Sequence, residues 1–533
     1  MSIDAAEPAS PAVAAGPRRD VGSLPERLYP PMPSHGWRGW AGPLAVTALG
    51  AALRLYDLGK PHAIIFDETY YPKEALGLLD TGTEQKLVDK ANDLILGSDG
   101  TWHGLGIFSG EPAFVVHPSV GKWTIGFGEH FFGATPFGWR IMMAILGIAS
   151  ILMVARITRR LLRSDLLGTI AGLLLAIDGL HIVMSRTGLL DLTLMFWVLA
   201  GFGLLLIDRD RTRLRLARLV EAHGLDATAT TWGPRLGLRP WRWAAAAALG
   251  LACATKWSGL WPLAFFIIMS VVWDVSARRM VGTGRPWRAT VFRDAPWAGL
   301  SSLAIAAFVY LASWTGWIVT TKGWGRDWAD ADTSSPVPSW IRALWHYHAE
   351  AWHFHVNLDS PHAYASNPLS WPFLARPVVF YWESLEGATR TCGAAKCVEE
   401  VTALSNPLIW WAGMLAVLYV AWRWLGRRDW RAGAILIGVL AGWVPWLLYL
   451  NRTIFSFYTI IFTPFVVMAV TMALGAALGP PDASRERRRT GIIVVGAFVV
   501  AAIVVAWWFL PVWTAQQISY DDWSNRMWLP SWI

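Results

Sequence analysis

FGWRIMMAILGIASILMVARITRRLLR, residues 137–163, decides the fold. After Arg140 the chain is almost wholly apolar to Ala155, and then Arg156, Arg159, Arg160 and Arg163 follow in one short block. An apolar run of this length reads as a membrane-spanning helix. A block of arginines at one end marks that end as cytoplasmic, because positively charged loops are retained on the inner side.

The same pattern repeats outward in both directions. Apolar runs occupy residues 40–56, 137–155, 166–182 and 190–207, a hairpin over 243–273 around TKWSG, and 297–318. Four more lie toward the C-terminus: one ending at RWLGRRDWR (423–431), one ending near Tyr449, one followed by SRERRR (484–489), and 492–509. Every basic block, including DRDRTRLRLAR (208–218) and ARRMVGTGRPWR (277–288), follows an even-numbered run. This alternation predicts an all-α polytopic membrane protein of about eleven spans with a cytoplasmic N-terminus. Residues 1–39, rich in Pro, Ala and Arg, read as a disordered cytoplasmic tail with no cleavable signal. Residues 40–510 form the transmembrane domain. Loops 57–136 and 320–405 lie outside, as does the C-terminal segment 511–533. KWTIGFGEHFFG and WIRALWHYHAEAWHFHVNL, one in each long loop, read as amphipathic helices lying at the interface.

Composition excludes other classes. Only 16% of residues are charged and 54% are hydrophobic, against about 25% charged in soluble domains. The 36 tryptophans suit membrane interfaces, where an indole keeps its ring dry and its N–H wet. The net charge of +8 is dispersed in loop-sized blocks, which argues against a nucleic-acid-binding face.

Groups with chemistry collect on the outer side. FDETYYPKEA sets Asp67 and Glu68 just beyond the first span, either as acidic residues at a helix start or as a general base with a polar orienter. FVVHPSVGKW brings His117 and Lys122. Arg140 opens the second span, SRTGLLD supplies Arg186 and Asp191, TKWSG supplies Lys256, and NRTIFSFY supplies Arg452. Any one cation could snorkel to the interface. Several around one outer cavity, beside a carboxylate, suit an anionic group such as a phosphate. WHYHAEAWHFHVN carries His346, His348, His353 and His355. Neighbours two apart do not face each other on a helix, so a metal site is not expected, whereas a substrate-contacting histidine is. Cys392 and Cys397 lie in an outer loop, where a disulfide can form.

These motifs resemble those of the bacterial protein O-mannosyltransferases, particularly the actinobacterial ones. The likeness runs through FDETYYPKEA, HPSVGKW, SRTGLLD, WHYHAEAWHFHVN, HAYASNPLSWPFLARPVVFYWE, SNPLIWW and NRTIFSFY, in that order, from about residue 50 to 460. The sequence departs from the family pattern at Ser119 and Ala363, where proline is frequent. The resemblance implies a GT-C glycosyltransferase fold in the plasma membrane with an extracytoplasmic site. It implies a polyprenyl-phosphate-mannose donor, a Ser or Thr hydroxyl acceptor on secreted or membrane polypeptides (received during translocation in one version), and inversion at the sugar. On that basis Asp67 is the base and Glu68 orients its neighbours. His117, Lys122, Arg140, Arg186, Asp191, Lys256, His348 and Arg452 hold the donor's phosphate and sugar. No cofactor or metal is required, and the partners are the lipid-linked donor, the acceptor chain and membrane lipid. Two rivals are a GT-C enzyme acting on a lipid or cell-wall glycan, and a transporter, whose functional charges belong near the bilayer midplane.

Overall fold

A computed structural model describes residues 23–32, 35–386, 391–480 and 482–533. Helices stand at all eleven expected places. Seven are long and apolar enough to cross a membrane: Pro136–Leu162, Leu190–His223, Trp257–Met280, Pro286–Ser313, Pro407–Arg427, Trp430–Leu448 and Arg485–Trp513. Arg38–Leu55, Asp165–Ala176, Pro240–Cys253 and Thr463–Leu478 are shorter or less apolar and complete the bundle.

Local chemistry sets the ends. Thr135 accepts a hydrogen bond from the Gly138 N–H, and Pro136 starts the helix, a pairing that satisfies one orphan donor and fixes φ in advance. Asp178 breaks the expected 166–182 span in two. Its carboxylate caps Gly179–Met184 by accepting from His181 N, and also accepts from Asn406 N. Asn406, from SNPLIWW, in turn caps Pro407–Arg427. One aspartate therefore ties two distant helix starts together.

Three features differ from the sequence reading. The helix Leu190–His223 runs far past residue 207, because its arginines, leucines and alanine are strong helix formers. Against that extension packs Leu24–Leu28, with Leu28 buried beside Leu216, Ala217, Leu236, Ala277 and Val281. The tail expected to be disordered over 1–39 is thus ordered over 23–32, while 1–22 lie outside the described residues. Lastly, the outer loops are not wholly helical. Gln85–Leu87 pairs with Phe108–Pro112, and Val378–Leu385 pairs with Cys397–Ala403, which also pairs with Ile518–Ser519. The segment 511–533 is therefore packed onto the second long loop. A Cys392–Cys397 disulfide closes the loop leading into that second sheet.

Both expected amphipathic helices are present. Val120–Phe132 exposes Trp123, Phe127 and Phe131, and Ser339–Val356 exposes Trp345 and Trp352.

Candidate active site

Phe66–Thr69, in FDETYYPKEA, makes a single tight turn. Phe66 stacks on Phe380 at 4.6 Å and meets Phe455 and Phe457 edge-on. Those rings belong to the VVFYWE and NRTIFSFY motifs, so three separated stretches converge on this turn.

Glu68 points inward and is fully buried. It accepts from Arg140 Nε and Nη2, both at 2.8 Å, from the Gly188 N–H at 2.8 Å and from the Ile65 N–H at 3.1 Å. A Cβ at Gly188 would meet the Trp139 ring at 3.0 Å and press it aside. Arg140 spends its remaining N–H groups on the carbonyls of Gly59, Pro61 and Ala63. With all five donors engaged, Arg140 has none left for a phosphate. The pair clamps the 59–68 segment to the second span: Glu68, grouped with Asp67 as a catalytic candidate and expected to orient its neighbours, holds Arg140, and Arg140 is engaged here in place of the donor-binding role expected for it.

Two further cations are consumed in the same way. Arg186 donates to the carbonyls of Arg54, Tyr56 and Asp57, satisfying acceptors that the end of Arg38–Leu55 leaves open. Lys122 is buried between Glu84 at 2.7 Å and Glu74 at 3.1 Å. His348 also turns away from the cavity described next, between Tyr310 and the Leu344 carbonyl. The structure thus does not bring Lys122, Arg140, Arg186 or His348 to a shared anion site, contrary to the sequence expectation.

What it does gather is a cavity of about 640 Å³. Its polar end is lined by His117, Asp191, Lys256, His355, Arg452 and Tyr458, and an apolar arm by Leu260, Leu263, Ile267, Ile268 and Leu303. Lys256 pairs with Asp191 at 2.7 Å. Arg452 Nε donates to the His355 carbonyl at 2.9 Å. No carboxylate lies within ion-pair distance of Arg452 among the described residues. His117 is half-buried, and its buried Nδ1 finds no partner among the described residues. Burial, and next the charge of Lys256, drive the His117 imidazole well below its ordinary range. Burial likewise brings His355 to about 4. Both are neutral near pH 7, able to hydrogen bond without adding charge.

Asp67 stands beside this polar end. Burial raises its carboxyl to about 6; Lys256 opposes that, Asp191 and Glu74 add to it, and a Tyr71 hydrogen bond lowers it. The group stays mostly ionised at neutral pH yet is basic enough to take a proton. The described residues contain no group of three or more His, Cys, Asp or Glu positioned to hold a metal ion.

Comparison with known proteins now bears on this geometry. Residues 107–315 match the family described as dolichyl-phosphate-mannose-protein mannosyltransferase, and residues 340–532 match the C-terminal four-transmembrane region of protein-O-mannosyltransferase. A polyprenol-phosphate-mannose–protein mannosyltransferase of Mycobacterium tuberculosis is 38% identical, over 99% of this chain and 97% of that one. The chain belongs to the protein O-mannosyltransferase family. As a protein O-mannosyltransferase it also resembles the namesake from Mycolicibacterium smegmatis, at 37% identity over 93% of each chain. The S. cerevisiae protein O-mannosyltransferase Pmt1-Pmt2 complex bound to the sugar donor shares the fold, with a TM-score of 0.67 over 96% of this chain and 94% of that one at 14% identity. The GT-C architecture, the multi-pass membrane character and the glycosyltransferase class expected of the sequence therefore hold for this mannosyltransferase.

Sequence reasoning missed His355, Tyr458 and Tyr71. His355 lies seven residues, two helical turns, from His348 in the same motif, so its periodicity was a usable signal. Tyr458 ends the NRTIFSFY motif, one side of the cavity from Arg452. Tyr71 carried no signal beyond its place after Asp67.

Proposed function

We propose that this chain transfers mannose from polyprenyl-phosphate-mannose to Ser or Thr hydroxyls of secreted or membrane polypeptides, with inversion, on the extracytoplasmic face of the plasma membrane. One observation carries the proposal: the cavity joins two cations at its polar end to an apolar arm. That suits an amphiphile with an anionic head. Leu260, Ile268 and Leu303, on the arm, are more than half exposed, which supports entry of a prenyl chain from the bilayer.

In the reaction, Asp67 accepts the proton of the acceptor hydroxyl as that oxygen attacks C1 of the mannose. The C1–O bond to phosphate breaks, and its electron pair leaves with polyprenyl phosphate. One displacement inverts the centre; a carboxylate acting as nucleophile would instead give retention. The leaving phosphate gains charge and needs no proton. Arg452 and Lys256 stabilise it, fixed in a site from which water is largely excluded. Neutral His117 and His355 donate or accept hydrogen bonds at the sugar. The scheme calls for no metal. The basic blocks support a cytoplasmic N-terminus and outward-facing loops.

Purified protein in lipid nanodiscs, incubated with polyprenyl-phosphate-mannose and a Thr-rich peptide, should add a hexose to Ser or Thr, read by mass spectrometry. Transfer to a lipid or glycan acceptor with an unmodified peptide would overturn the acceptor assignment. Reporter fusions at Gly224 and Ala394 should fall in opposite compartments.

A further inference from the structure

The cavity wall holds an aromatic plate whose orientation is fixed by a chain of hydrogen bonds. Trp257, next to Lys256 in TKWSG, lines the cavity and is half-buried. Its Nε1–H donates to the Tyr310 hydroxyl at 3.0 Å. Tyr310 lies 2.8 Å from His348 Nε2, and His348 Nδ1 lies 2.7 Å from the Leu344 carbonyl. The directions follow by elimination. A carbonyl only accepts, so Nδ1 carries the proton and Nε2 is the acceptor. Tyr310 then donates to His348, and its oxygen is free to receive the indole N–H. Trp257 also runs nearly parallel to the His348 ring, 19° apart with centroids at 5.9 Å. The indole is thus held both at its nitrogen edge and against the imidazole ring.

We propose that Trp257 is the platform on which the donor's sugar lies, with Tyr310 and His348 as its positioning residues, a role that rests on the donor reading above. The placement follows from the two ends the sugar must join. Its phosphate belongs near Lys256 and Arg452, and its C1 must come within reach of an acceptor oxygen held by Asp67, itself a neighbour of Lys256 in charge. Trp257 follows Lys256 and lines the same cavity as Arg452 and His117, with the His355 ring centroid 5.5 Å from its own. Other tryptophans fit less well. Trp446 lies under the Arg452 guanidinium at 5.9 Å, at the phosphate end. Trp261 lies one turn further along its helix, toward the apolar arm. A pyranose ring presents a face of C–H bonds that packs on an aromatic plane, while its hydroxyls meet the unpartnered His117 Nδ1 and the His355 ring. His348, expected at the phosphate, instead acts through Tyr310 on the plate.

The test compares two ligands, polyprenyl phosphate and polyprenyl-phosphate-mannose, binding to protein in nanodiscs. Trp257→Leu should weaken the sugar-bearing ligand about 5- to 10-fold and leave the bare phosphate within about twofold. Trp257→Tyr, which keeps a ring, should recover most of the difference. Tyr310→Phe removes one oxygen with little change of packing; it should weaken only the mannosylated ligand, about 2- to 3-fold, and raise donor KM more than it lowers kcat. Equal weakening of both ligands by Trp257→Leu, or no change in their ratio in Tyr310→Phe, would overturn the platform. Failure of the unmutated protein to bind either ligand would instead overturn the donor reading, and the platform with it.

Discussion

The cations around the cavity differ from those that staple the other end of the bundle. At the end away from the cavity, Arg239 grips Asp208 through Nε and reaches Asp274 through Nη1, Arg242 also holds Asp274, and Arg278 holds Asp294. Each guanidinium meets a carboxylate supplied by the protein. At the cavity Lys256 shares one aspartate, and half-buried Arg452 meets the carbonyl and ring of His355, with no carboxylate in reach among the described residues. A buried charge without an opposite partner is costly. Where helices are stapled, the fold supplies the acceptors itself, carboxylates for these three and backbone carbonyls for Arg186. Where it leaves a cation turned toward a cavity, the missing anion is a ligand's to bring.

The largest effect should fall on Asp67, the carboxylate in charge contact with Lys256 and Asp191 of the cavity's polar end. Asp67→Asn keeps the shape and removes the basicity, and turnover should drop about 10²- to 10⁴-fold with donor binding retained. A stable mutant with near-normal turnover would make Asp67 a helix-start residue, since Asn caps as well as Asp. For the native enzyme only ionised Asp67 can take the proton, so kcat/KM should rise with pH through about 6 and level off above it. A profile flat down to pH 5 would remove Asp67 from the reaction.

Next is the contrast between the ends themselves. Arg452→Lys keeps the charge and loses the planar fork; transfer should fall about 10- to 100-fold, the worth of one charged hydrogen bond. Arg239→Lys, at the end away from the cavity, should lower thermal stability and leave turnover per folded molecule nearly unchanged. Equal losses of turnover at both would erase the distinction between stapling and ligand-holding cations. The smallest effect belongs to the outer disulfide. Cys392→Ser with Cys397→Ser should cost about 2 kcal/mol on the chain-entropy account of so short a loop, measured by thermal unfolding, with donor binding intact.

The helices of the bundle were legible because each is a continuous run whose meaning does not depend on distant residues. Lys256 and Arg452 were legible as cations, and Asp67 as a carboxylate of the FDETYYPKEA motif. Which cations stay free was not. Arg140 and Arg186 look like Arg452 in a linear text. What separates them is three loop carbonyls, of Gly59, Pro61 and Ala63, around one, and the open carbonyls of a helix end around the other. His348 and His355 share a helix face; only the position of Trp257 puts one behind the wall and the other inside. The small sheet of Val378–Leu385, Cys397–Ala403 and Ile518–Ser519 joins segments far apart in the chain, and no local pattern announces such pairing.

The arm lined by Leu260, Ile268 and Leu303 has a practical corollary. A site that opens sideways to hydrocarbon samples whatever amphiphile surrounds it. Detergent monomers, each a polar head on one apolar chain, are then competitive inhibitors as well as solvent. Apparent donor affinity in micelles should fall with detergent concentration and return on reconstitution, so the medium belongs in the rate law.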